Sequence, residues 1–340
     1  MDCFRHYCHV KYHNELTDIS CLYIYSELEM TIHKSIALIG APADTGGRQN
    51  GCLMGPDALR TAGISDILCN MGYQVDDLGN YSATPTAEIR HPNSSVHHLA
   101  DYAALISMLG AFCRDSLATD QLPIFMGGDH SIAAGFLPSL AQKAAEDGRE
   151  QFVLWLDAHT DFQTLESTDT GNLHGTPVAY IIGDPAFEGI LPSPICPIKP
   201  ENICMMGIRS VDPAESARIR KTKIEVHDMR AIDEFGVALP LKAFLNRVRA
   251  VGGRLHVSLD VDFLDPEIAP AVGTTVPGGA NFREAHLIME LLHESDLVTS
   301  LDISELNPFL DERGRTANLI VDLVASLFGR QVLDRHTRSL

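Results

Sequence analysis

The chain has 340 residues, 45% of them hydrophobic and 21% charged, the balance of an ordinary globular protein. A net charge of −19 and a pI of about 5.1 argue against nucleic acid or an anionic membrane as a partner held by the bulk field, and suit a cationic ligand. Eight cysteines without a CxxC pair, and no apolar run near the roughly 20 residues of a membrane span, read as a cytoplasmic chain with free thiols.

Residues 1–30 look foreign to the rest. They carry three cysteines and no clear amphipathic period, and lack the marks of a signal or transit peptide. The expectation is a poorly structured leader with Met30 as an alternative start, so truncation to Met30 should leave activity intact. Residues 31–340 are expected to form one catalytic domain. The regular pattern opens with a strand at Ile36–Gly40 and a glycine-rich loop, Thr45–Gly51, in which Arg48 and Asn50 carry no assigned role. Gly55-Pro56-Asp57 then opens a helix through Leu68, with proline in its first turn. A long helix over 97–117 follows, then strand 122–126, helix 131–146 and strand 152–156. A long loop ends in His174-Gly175-Thr176-Pro177. Strand 203–207, a basic helix after Pro213, strand 224–227, helix 240–250, strand 255–259, helix 282–293, strand 298–303 and helix 316–329 complete the run. No internal repeat or interdomain linker interrupts it. Alternating units of this kind predict a mainly parallel sheet of about eight strands with helices on both faces.

Acidic residues and histidines cluster where apolar strands end. The segments are Gly127-Gly128-Asp129-His130-Ser131, Asp157-Ala158-His159-Thr160-Asp161, Asp260-Val261-Asp262 and Asp302-Ile303-Ser304-Glu305. The carboxyl ends of parallel strands are where open α/β sheets place their sites. Spacings of i, i+2 and i+4 on extended chain put side chains on one face. Taken singly, each motif is more often a loop cap, a solvated turn or a satisfied core histidine than a metal ligand. Together, Asp157, Asp161, Asp260 and Asp262 with His130 and His159 make four carboxylates and two imidazoles. Such a set would repel itself unless cations neutralise it. Two divalent ions balance the four negative charges, and a carboxylate-rich set with some imidazole favours manganese. Such a pair can share bridging carboxylates and a bridging hydroxide.

At these residues the chain resembles the ureohydrolase family of arginase, agmatinase and their relatives, over roughly Ile36 to Arg330. GGDHS, DAHTD and SLDVDFLDP stand here as that family's metal-binding signatures. The resemblance implies a three-layer α/β/α sandwich around an eight-stranded, mainly parallel sheet, and a homotrimer or homohexamer. It implies two Mn2+ per subunit. One would be held by His130, Asp157, Asp161 and Asp260, the other by Asp157, His159, Asp260 and Asp262. GNLHG (171–175), RSVDPAE (209–215), Gly273-Thr274 and DISELNP (302–308) look like arginase rather than agmatinase. The implied reaction is hydrolysis of L-arginine to L-ornithine and urea by a metal-bridging hydroxide.

In that reading Asp161 orients the hydroxide and takes its proton, and His174 shuttles a proton to the departing amine. Glu305 receives the guanidinium beside Thr274, and Asp212 and Glu215 take the α-amino group. Asn172 joins the substrate contacts. Two positions depart from the arginase pattern: Gln163 stands where Asn is usual, and Thr170 where Ser is usual. Both read the α-carboxylate in the family and both keep their hydrogen-bonding groups here, so altered affinity at that end is expected. Agmatine or a guanidino acid such as 4-guanidinobutyrate is the alternative substrate. A one-zinc deacetylase is disfavoured by the doubled ligand set, and a non-catalytic scaffold by the presence of all six ligands.

Overall fold

The computed structural model describes residues 35–45, 50–117, 120–331 and 333. The leader, Arg48 and the final segment of the chain fall outside the described residues. Eight strands form one sheet: β1 (Ser35–Ala41), β2 (Gln74–Asn80), β3 (Gln121–Gly127), β4 (Gln151–Leu156), β5 (Ile203–Ile208), β6 (Glu225–Asp228), β7 (Arg254–Asp260) and β8 (Val298–Ser304). Their order is β2-β1-β3-β8-β7-β4-β5-β6, with every neighbouring pair parallel. Side chains alternate between the sheet's faces. Ile36 and Leu38 of β1 therefore join one buried layer and Ala37 and Ile39 the other.

The first layer is closed by α1 (Gly55–Thr61), α2 (Ile64–Asn70), α7 (Met229–Phe235), α8 (Ala238–Ala250), α9 (Phe282–Ser295) and α10 (Arg315–Leu327). The second is closed by α3 (Leu99–Asp115), α4 (Ile132–Glu146) and α5 (Pro177–Ile181), with Ile219 of α6 (Pro213–Ile219) at its margin. This is the expected three-layer α/β/α architecture.

The structure departs from the expected elements in three places. The helix expected from Gly55 to Leu68 is two helices, because Gly63 takes a left-handed φ of 87° and breaks the turn. Strand β2 was not named in the sequence because it is an edge strand with much exposed surface, reading QVDDLGN. The short helices α5 and α7 were likewise not anticipated; α7 starts on an Asp228 side chain that accepts from Ala231 N.

The order places β3, β8, β7 and β4 side by side at the centre. Strands lie about 4.8 Å apart, so the four carboxyl ends share a rim only ~14 Å wide. Each of those ends runs into one of the acidic or histidine-bearing segments.

Candidate metal centre and substrate cleft

His130 sits in the turn after β3, where Gly128 is required: a Cβ there would collide with the backbone of Ala43. Its ring stacks on Trp155 of β4, with centroids 4.0 Å apart and planes 9° from parallel. Nε2 lies 2.8 Å from Ser258 Oγ on β7. With that nitrogen's proton given to Ser258, Nδ1 presents a lone pair. Nδ1 is buried and makes no hydrogen bond among the described residues, yet Asp157 Oδ2, Asp161 Oδ2 and Asp260 Oδ2 stand 3.1, 3.3 and 3.0 Å away.

A second cluster adjoins it. His159 Nδ1 lies 3.0 Å from Asp262 Oδ2 and 3.6 Å from Asp157 Oδ1. Asp157 belongs to both groups. The carboxylates are aimed by the loops that carry them. Trp155 Nε1 donates to Asp157 Oδ2 at 2.8 Å and His159 N to Asp157 Oδ1 at 2.6 Å. Ala158 N donates to Asp262 Oδ1 at 3.0 Å, and Asp262 N to Asp260 Oδ1 at 2.7 Å. Asp161 takes a left-handed φ of 45°, a conformation a non-glycine residue adopts only under constraint.

The electrostatics of the protein groups alone call for added positive charge. Burial and the neighbouring Asp157 push Asp161 up to about 7. Burial, then Asp262 and Asp157, raise Asp260 well above the carboxylate range. Burial opposes charge on His159, but Asp262 and Asp157 carry it up to about 12. An orphaned imidazole nitrogen facing three carboxylate oxygens, beside a second His/Asp/Asp group, fits a pair of divalent cations in chemistry and in charge.

Above this floor opens a cleft of about 540 Å3, counting its mouth. Asp161, Gln163, Thr170, Asn172, His174, Asp212, Glu215, Thr274 and Glu305 all line it, so the structure brings the whole expected set to one place. Glu305 follows β8 in a left-handed backbone, φ 65°, which turns its carboxylate inward. Its Oε1 lies 2.8 Å from both His174 Nδ1 and His130 N, and its Oε2 lies 3.7 Å from the Cys52 thiol. Burial works against charge on both partners of the His174–Glu305 pair. The pair prevails: Glu305 stays below the usual range, and His174 is carried up to about 9.

At the outer wall Gln163 Nε2 donates to Asp212 Oδ2 at 2.7 Å. Glu215 is only 5% exposed, and Thr160 Oγ1, Phe162 N and Asp212 N donate to its carboxylate at 2.8, 2.9 and 3.3 Å. It is a brace for both loops. Asn172 Oδ1 is buried without a hydrogen-bond partner among the described residues. Thr170 Oγ1 accepts from Asn172 N at 3.3 Å, and Thr274 Oγ1 donates to Asp262 Oδ2 at 3.3 Å.

Sequence reasoning missed the supports. Trp155, the chain's one tryptophan, precedes Asp157 by two residues and therefore shares its face. Ser258 precedes Asp260 by the same step. Polar residues at period two inside apolar strands were the available signal. Cys52 had none, since it lies 253 residues from Glu305.

Known proteins agree with this architecture. The model of the arginase family matches residues 34–329. The arginase of Agrobacterium fabrum is 59% identical over 304 residues, covering 89% of this chain and 94% of its own. The Bacillus caldovelox arginase structure superimposes with a TM-score of 0.80 at 37% identity, covering 88% of this chain and 99% of its own. The Entamoeba histolytica arginase, solved with L-ornithine, gives 0.76 at 27% identity, covering 87% and 99%. With its central eight-stranded sheet and the His/Asp floor at the sheet's carboxyl rim, the chain belongs to the arginase family of hydrolases.

Proposed function

We propose that the protein hydrolyses the guanidinium group of L-arginine to L-ornithine and urea, using two manganese ions per subunit. The observation that carries this reading is the pair of His/carboxylate clusters sharing Asp157 beneath a cleft walled by Asp212 and Gln163. His130, Asp157, Asp161 and Asp260 would hold one ion, and Asp157, His159, Asp260 and Asp262 the other. When bound, such a pair lowers the pKa of water by several units and so supplies hydroxide at neutral pH.

The chain's own groups do the rest. Glu305 takes the guanidinium, with Thr274 beside it, and so fixes its carbon over the floor of the cleft. Asp161 orients the nucleophile and accepts its proton, a role suited to a buried carboxylate at the floor of the cleft. His174 is raised above the ordinary histidine range by its pairing with Glu305, so it can hand a proton to the nitrogen that departs as ornithine's side-chain amine. Asp212 receives the α-ammonium, and Gln163, Thr170 and Asn172 read the α-carboxylate. Glu215 acts on the amine through the loop it braces. A cytoplasmic homotrimer or homohexamer completes the reading. It rests on the family resemblance, and none of the described helices is long and apolar enough to cross a membrane.

The test is urea release by manganese-loaded protein from L-arginine, agmatine and 4-guanidinobutyrate. A kcat/KM for arginine at least 100-fold above the others is expected. Preference for either of the others would mean that Gln163 and Thr170 mark a switched substrate, and the arginine assignment would fall.

A further inference from the structure

We propose that Arg209 is a positioning residue for the cation site that includes Asp262. Its guanidinium ties the chain after Asp262 to the loop that follows Thr274. The proposal rests on the two-cation reading above and deepens it.

Arg209 follows β5, and its backbone N–H donates to Ala158 O at 2.9 Å, which pins it to the Asp157–His159 turn. Its side chain crosses to two other segments. One terminal nitrogen donates to Asp262 O at 2.6 Å and to Val276 O at 2.8 Å, with Leu264 O at 3.4 Å. Nε donates to Val276 O at 3.1 Å. The other terminal nitrogen donates to Gly207 O at 3.1 Å and Phe263 O at 3.5 Å. Every one of these acceptors is a main-chain carbonyl. Among the described residues no carboxylate forms an ion pair with this arginine, although it lies in the field of Asp262 and Asp157.

A half-buried arginine spent wholly on carbonyls is a clamp. Its planar fork satisfies several acceptors at fixed angles, which an ammonium on a flexible stem cannot reproduce. The surrounding chain is shaped to admit it. A Cβ at Gly279 would lie 2.6 Å from the guanidinium and 2.6 Å from the Leu264 carbonyl carbon. Gly207 takes φ 97°, and a Cβ there would strike the Phe263 ring. Three segments thus meet on one side chain: the turn that carries Asp157 and His159, the turn that carries Asp262, and the loop whose Thr274 donates to Asp262 Oδ2. Outer partners that orient ligand-bearing groups are worth about 10–100-fold in metal affinity.

The experiment is equilibrium dialysis of the full chain against manganese, resolving both binding constants, with circular dichroism as the fold control. The proteins are wild type, Arg209→Lys, Arg209→Met and Gly279→Ala. Arg209→Lys and Arg209→Met are each expected to weaken one of the two constants at least tenfold while the other stays within threefold. Gly279→Ala crowds the guanidinium and the Leu264–Asp265 main chain it holds, without changing charge, and should weaken the same constant; with its fold confirmed by circular dichroism, it keeps the proposal testable if the Arg209 variants fail to fold, and wild-type constants in it would overturn the proposal. Lysine matching wild type would overturn the proposal, since charge alone would then suffice. Equal weakening of both constants would overturn it too, as a general structural role predicts. A wild type that takes up fewer than two manganese ions per chain would instead sink the two-cation reading beneath it.

Discussion

His174→Asn separates a hydrogen bond from a proton. The amide nitrogen of asparagine falls near the position of imidazole Nδ1, so the 2.8 Å contact with Glu305 Oε1 can persist while the titratable group is gone. General acid catalysis by a placed side chain contributes about 10²–10⁴-fold. The variant is therefore expected to lose at least about 100-fold in kcat, with KM little changed, because Glu305 keeps its donor. Wild-type kcat at saturating arginine should fall tenfold per pH unit above a limit at or below about 9, since two bound cations nearby can only ease the proton off. In the variant that descending limb should vanish. Urea release between pH 6.5 and 10.5 at saturating manganese decides it. A variant that keeps a third of wild-type turnover, or the same descending limb, would remove His174 from the chemistry.

The same group makes a stability prediction. The folded pKa of His174, about 9, lies above its ordinary 6.5. Its pairing with Glu305 therefore contributes fully below pH 6.5, and the contribution is lost as pH rises through 9. At ~1.4 kcal/mol per pH unit the whole rise is worth at most ~3.5 kcal/mol. Melting curves of metal-free wild type and His174→Asn should converge across that window. A constant gap between them would mean that the pair carries no charge-dependent stability.

Two further changes probe the supports. Ser258→Ala leaves His130 Nε2 without its 2.8 Å partner, and manganese affinity should drop about 10–100-fold by dialysis; unchanged affinity would leave the Trp155 stack as the sole anchor of the ring. Gly171→Ala puts a side chain at φ 75° against the Ser95 carbonyl, which should cost more than ~1 kcal/mol in a thermal melt and raise KM for arginine through the adjoining Thr170–Asn172 turn. A variant with wild-type KM would take that turn out of substrate reading.

How much was legible follows from burial. The strands β1, β3, β4, β5, β7 and β8 were readable because both faces are largely covered and most of their side chains are apolar. β2 was not, because its register with β1, Ser35 opposite Gln74 and Ile36 opposite Val75, is set by main-chain bonds that no side chain advertises. The ligand-type residues were legible through their i, i+2 spacing. Their meeting was expected from the shared strand-end placement and from the family resemblance; the order that brings it about, with β8 and β7 between β3 and β4, was not. The Gln163–Asp212 bond joins residues 49 apart and needed the structure. So did the brace role of Glu215, whose motif looked like substrate contact.

The least expected feature is also the most coherent physically. β7 and β8 turn Leu255, Val257, Leu259, Leu301 and Ile303 toward one layer, as buried strands should. Toward the other they turn His256, Ser258, Asp260, Ser300, Asp302 and Ser304, all buried. Burying such groups costs ~1–3 kcal/mol each unless they are hydrogen-bonded. His256 meets that demand in part, lying 2.8 Å from both Ser300 Oγ and Asp302 Oδ1. Asp302 Oδ2 and Ser304 Oγ remain buried without hydrogen-bond partners among the described residues, and Asp302 Oδ2 stands 3.9 Å from His130 Nε2. A cation on His130 Nδ1 would draw electron density from the ring and make the Nε2 edge more positive, which is what a buried carboxyl at that distance lacks. The polar row under the rim thus fits a site built to hold metal better than it fits an empty one. Metal that bound the folded chain better than the unfolded one would link uptake to folding through this row.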